Sequence, residues 1–215
     1  MFENAGRKKT IPAKGAVFAQ TGEKMERMDS CLDFIREAER LKNVLRTAWS
    51  SQGRQESTAE HTWRLALAAM TAAWEYPQLD RLKLLETALL HDMGELYEGD
   101  ISAALLPDPG EKYRIEEEGV NRAFSCLPEP QKSHFLKLWR EYNDEATPEA
   151  RLIKALDKAE TILQHNQGKN PPDFDYDFNL EYGKTYFEGD EKLLRLRDRI
   201  DADTRRRMEE NGKSI

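Results

Sequence analysis

From residue 29 the apolar positions Cys31, Ile35, Ala38, Leu41 and Leu45 recur at steps of three and four, which predicts an amphipathic helix. A second helix opens at Ser57, where S-T-A-E supplies a capping box with Glu60 three residues on. His61, Leu65, Ala68 and Ala72 follow on its inner face. A third, over about residues 79–97, carries Leu82, Leu85, Leu89, Asp92 and Leu96 along one stripe, with Gly99 as its stop signal. A loop holding Pro107, Pro109 and Gly110 leads to two more helices, over about 111–126 and 129–143. Thr147-Pro148 opens the next, with threonine as cap and proline in the first turn, and Leu152, Leu156, Ala159 and Leu163 form its ridge. The segment over 168–186 contains KNPPDFDYDFNLEYG and reads as an ordered loop, because aromatic rings seldom stay in solvent. A last amphipathic helix spans about 189–211. No strand pattern of any length and no internal repeat appears. The expected fold is all-α, a single helical bundle over residues 28–215, preceded by an arm over 1–27 without periodicity.

The chain has 215 residues, enough for one well-buried domain. Hydrophobic residues make up 39% and charged residues 34%, the balance of a globular protein with a heavily solvated surface. No run of about 18 apolar residues exists, and the N-terminal apolar stretches are too short for a signal-peptide core. The expectation is a cytoplasmic protein with no membrane partner. Cys31 and Cys126 are too few for a disulfide framework and read as reduced, structural residues. Net charge is −7, with lysines and arginines dispersed among acids, so duplex nucleic acid is excluded as a partner. A small anionic substrate stays compatible, since one metal and one or two arginines supply a local positive field.

The candidate chemistry lies in His61, the dipeptide His91-Asp92, and Asp157. Two imidazoles and two carboxylates form a mixed nitrogen and oxygen set suited to Mn²⁺, Co²⁺, Ni²⁺, Fe²⁺ or Zn²⁺. Bundles build such sites from side chains projecting inward from facing helices. On one helix His91 and Asp92 would stand about 100° apart around the axis, so both reach a single ion only if it lies between their directions. Each residue alone has an ordinary structural explanation. Together, with apolar flanks at Asp157 and before His91, they point to a shared ion, because an unpaired carboxylate beside a core is costly.

These residues sit in EHTWR, ALLHDMGE and KALDKAE, and that ordered set resembles the HD-domain metal-dependent phosphohydrolases over roughly residues 29–165. The longer run HDMGELYEGDI is similar to the HD-domain 5′-deoxynucleotidase subgroup. The resemblance implies a bundle of the HD-domain type in which His61, His91, Asp92 and Asp157 bind one divalent cation per chain, be it Mn, Co, Ni, Fe, Zn or Mg. It places Glu95, three residues after Asp92, as the group acting on the attacking water. It gives Asp100 a contact with substrate or a part in proton transfer. LKNVLRTAW resembles the segment whose arginine meets the substrate phosphate, which assigns Arg46, whose planar fork donates two bonds at once. Trp49 would border the sugar or base. The implied activity is hydrolysis of phosphomonoesters, with 5′-(deoxy)nucleoside monophosphates as substrates, by a homodimer.

Two other readings compete with this. A dinuclear HD enzyme, a phosphodiesterase or a mixed-valent iron oxygenase, needs additional histidines between the HD pair and the final aspartate. Only His134 lies there, among charged residues, and it reads as a surface side chain; His165 comes two turns after Asp157, near the pocket or at a helix end. A non-catalytic nucleotide-sensing module would have lost Glu95 or a ligand, and neither is lost. The aromatic segment over 174–186 is expected at the dimer interface or over the pocket.

Overall fold

The computed structural model describes residues 27–101 and 108–212. The expected N-terminal arm, save residue 27, and Pro107 lie outside the described residues. Helix α1 covers 27–38 and runs into a 3₁₀ turn, Glu39–Lys42. Strands β1 (Leu45–Trp49) and β2 (Gln55–Ser57) pair as an antiparallel hairpin. There follow α2 (Thr58–Ala72), α3 (Arg81–Leu90), a 3₁₀ turn (Met93–Leu96), α4 (Pro109–Ala123), α5 (Gln131–Asn143), α6 (Pro148–Gln167), α7 (Asp177–Glu181) and α8 (Glu191–Glu210).

The helical-bundle reading holds, with the caps expected at Ser57 and Thr147 in place and a further cap at Asp80. Ser57 and Glu60 form the capping box of α2, Asp80 accepts from the amides of Leu82 and Lys83, and Thr147 accepts from Ala150. The hairpin is a correction, since no strand was expected. The first helix does not continue to Leu45: the chain leaves it at Asn43, and Ile35 and Leu45, read as inner, are exposed. Phe34 takes the inner position instead, against Phe124 and Phe135. Gly53, at φ 83°, makes the hairpin turn, where its amide bonds the Ser50 carbonyl at 2.9 Å.

The third helix is also shorter and rotated relative to expectation. Leu82 and Leu89 face solvent, at 64% and 50% exposure, while Leu84, Thr87, Ala88 and Leu90 are buried. α3 ends at Leu90, and the chain tightens because Gly94 lies against the backbone of α4. A Cβ on Gly94 would come 2.7 Å from Glu116 Cβ. Only a glycine permits that approach, and it fixes the turn carrying Glu95.

Two apolar clusters hold the bundle. One joins α2, α3, α6 and α8 through Leu65, Leu84, Ile153, Ile162 and Ile200; the other joins α1 and the turn after it to α4 and α5 through Phe34, Leu41, Val120, Phe124, Leu136 and Trp139. Each such side chain contributes about 1.5–3 kcal/mol on burial. Helix α6 runs through the middle and buries residues around most of its circumference, so polar groups on it face protein rather than water. The aromatic segment is ordered, as expected, and contains α7. Buried Arg197 of α8 holds it by donating to the carbonyls of Tyr182, Asn179 and Leu180 at 2.6, 2.7 and 2.8 Å, with Asp201 balancing its charge. Among the described residues no helix is long and apolar enough to cross a membrane.

Candidate metal centre

His61 lies at the start of α2 with its ring fully buried. Its Nδ1 pairs with the Glu160 carboxylate on α6, which turns Nε2 towards Asp157 Oδ1 at 3.2 Å and Asp92 Oδ2 at 3.7 Å. The His91 Nδ1–H donates to the Ala88 carbonyl at 2.8 Å, and its Nε2 stands 3.0 Å from Asp92 Oδ2. In both rings the outer nitrogen is occupied, so the tautomer is set and each Nε2 lone pair faces the same point. Asp157 is oriented likewise: Oδ2 accepts from the Tyr142 hydroxyl at 2.7 Å and the Lys158 ammonium at 2.9 Å, which leaves Oδ1 for the centre.

His91 and Asp92 do not follow one another on a helix as expected. His91 caps α3 and Asp92 has left it, at φ −98° and ψ 11°. The break brings both side chains to one point without the 100° separation a continuous helix would impose.

The donor set fits a divalent cation. Nε2 of His61, Nε2 of His91 and Oδ2 of Asp92 are buried and make no hydrogen bond among the described residues, and the three residues can place one ligand atom each within 4.8 Å of one another. Leaving one such group unsatisfied costs about 1–3 kcal/mol. An ion shared by all three removes that cost. The electrostatics agree: burial and Arg46 oppose a charge on His61, yet Glu160 and Asp157 outweigh them and raise its pKa to about 10. That upward pull reports the negative potential of the surrounding carboxylates, which a metal cation would meet in place of the proton, leaving the Nε2 lone pair to bind it.

Glu95 is buried on the 3₁₀ turn and accepts from the Thr58 hydroxyl at 3.1 Å. Burial, then the charges of Asp92 and Asp100, push its carboxyl well above the usual range. Arg46, on β1, places Nη1 3.6 Å from Asp92 Oδ2 and Nε 3.6 Å from Glu56 Oε2, and donates to the Thr161 hydroxyl at 3.0 Å. A cavity of about 900 Å³ has Arg46, Trp49, His91, Asp92, Glu95, Asp100 and Asp157 in its wall. Seven of the eight residues singled out from the sequence therefore meet at one space, and His61 stands directly behind it.

Several participants went unread. Glu160 lies one turn after Asp157 in KALDKAE, a spacing that puts both on the face of α6 turned to His61. That spacing was the available signal. Tyr142, Thr58, Lys154 and Lys158 gave none. His165 does line the cavity, with Nδ1 bonded to Asn179 Oδ1 at 2.7 Å, and burial lowers its pKa to about 4. His134 is on the surface as expected, paired with Glu86. Trp49 meets Phe174 edge-on at 6.1 Å, so the aromatic segment forms one wall of the cavity.

The sequence profile of the HD domain family matches residues 38–196. The 5′-deoxynucleotidase HDDC2 of Homo sapiens is 36% identical over 140 residues, covering 64% of this chain and 68% of that one. Its Bos taurus counterpart is 38% identical over 138 residues, covering 63% and 66%. In three dimensions the chain is similar to a structure titled a predicted metal-dependent phosphohydrolase, from Magnetospirillum magnetotacticum MS-1. That pair has a TM-score of 0.70 and 26% identity, over 87% of this chain and 98% of the other.

Proposed function

The chain belongs to the HD domain family, and from that premise we propose that it is a metal-dependent phosphomonoesterase releasing phosphate from 5′-(deoxy)nucleoside monophosphates. The observation that carries the reading is the set of three buried, unbonded donor atoms opening into the same cavity as Arg46. The names of the deoxynucleotidase relatives support the substrate class.

In this reading His61, His91, Asp92 and Asp157 bind one divalent cation. Such an ion neutralises phosphate charge and lowers the pKa of coordinated water. Arg46 donates its fork to phosphate oxygens, and its neighbours Asp92 and Glu56 hold it in place. Glu95 takes the proton of the attacking water, since burial and then the charges of Asp92 and Asp100 raise its carboxyl well above the usual range and make it a stronger base than an exposed glutamate. Asp100 contacts the sugar or passes a proton at the cavity wall, and Trp49 borders the sugar or base with Phe174 behind it.

A panel of 5′- and 3′-monophosphates, dinucleotides and simple phosphate esters, with released phosphate as the readout, tests the reading. Release from 5′-monophosphates with little from the 3′-isomers is expected. Activity confined to diesters, or equal on both isomers, would overturn it. The proposal includes a cytoplasmic homodimer. Trp63, Leu67 and Met70 are exposed at helical spacing on α2, and Trp74 is exposed just past its end; together they form an apolar stripe that a second copy would cover. Light scattering should give twice the chain mass of 24.9 kDa; the monomer mass would refute the dimer.

A further inference from the structure

Four basic side chains line the cavity: Arg46, Lys112, Lys154 and Lys158. Three have anionic partners. Arg46 lies beside Asp92 and Glu56, Lys112 is 3.0 Å from Glu116, and Lys158 is 2.9 Å from Asp157. Lys154 has no carboxylate at ion-pair distance among the described residues. Its ammonium rests instead 3.8 Å from the centroid of the Tyr142 ring.

That ring is not free to move, because its hydroxyl donates to Asp157 Oδ2 at 2.7 Å and its edge packs on His91. Tyr142 thus fixes the ammonium relative to two of the candidate ligands. Lys154 also stands one turn before Asp157 on α6, whereas Arg46 approaches from the Asp92 side. Burial, then the charge of Lys158, lowers the Lys154 pKa to about 8 against the more distant pull of Asp157, Glu145 and Asp92. An aromatic face offsets only part of that deficit.

We propose that Lys154 is a second cationic contact for the substrate phosphate, completing with Arg46 a clamp whose two arms stand on the Asp157 and Asp92 sides of the cavity. The inference rests on the phosphomonoesterase reading for its substrate. A phosphate dianion supplies the counter-charge that the fold withholds from Lys154, and a compact ammonium suits one oxygen where the arginine fork takes two.

The test compares wild-type protein with Lys154→Met, which keeps the alkyl stem against Tyr142, and Lys154→Arg, which keeps the charge. Metal content and melting temperature are read first, and Lys154→Gln replaces the methionine variant if that variant does not fold. Calorimetric titration of the metal-loaded proteins with inorganic phosphate should show Kd raised about 10- to 100-fold in Lys154→Met, with most of the affinity restored in Lys154→Arg. KM for a 5′-monophosphate should rise in parallel while kcat stays within about threefold. An unchanged phosphate Kd would overturn the proposal. So would a collapse of kcat at constant KM, which would make Lys154 a proton donor to the leaving oxygen. Should no monophosphate be hydrolysed while Lys154→Met still weakens phosphate binding, the activity reading fails and the anion contact stands.

Discussion

His91→Ala should give a folded chain that retains no tightly bound metal and whose phosphate release falls by about 10³-fold or more. The imidazole supplies one of three buried donor atoms that have no other partner, and its loss leaves His61 facing only carboxylates. The fold should survive, because α3 ends at the preceding residue and the core contacts of Leu84 and Ala88 are untouched. Metal would also lose its contribution to stability, since an ion bound only by the native state stabilises it by mass action. Elemental analysis, released phosphate and melting with and without chelator check this together. Full metal content in the variant would remove His91 from the ligand set.

Glu95→Gln should separate binding from chemistry. The amide keeps the size of the carboxylate, and its oxygen can still accept from Thr58, so the turn held by Gly94 against α4 is preserved. What disappears is the basic group that burial and two neighbouring carboxylates have raised. Metal content should persist while kcat falls by roughly 10²–10⁴, the scale of a general acid–base group. Full activity would show that protons travel another way.

How much of this could be read from the sequence depends on how local its cause is. The caps at Ser57 and Thr147 act within three residues, and the structure repeats what the sequence implies there. The ligand candidates were legible because histidine and aspartate are conspicuous against Leu and Ala. The α3 stripe was not, because a leucine-rich helix offers two apolar faces and only its neighbours decide which one is buried: Leu84 and Ala88 won over Leu82 and Leu89. The hairpin escaped because five residues from Leu45 are too few for a period of two to stand out beside helical steps. Glu160, Tyr142 and Lys154 acquire their roles through contacts between helices. Tyr142 lies 15 residues before Asp157 and Glu160 lies 99 after His61, and nothing in either local pattern announces the meeting.

The central claim is that one ion held by these residues enables phosphomonoester hydrolysis. Its most direct test is to strip the protein of metal and titrate it with Mn²⁺ or Co²⁺, following bound metal and phosphate released from a 5′-deoxynucleoside monophosphate in the same samples. Release should rise in proportion to occupancy and level off at one ion per chain. Hydrolysis undiminished in the stripped protein, or none at any occupancy, would contradict it.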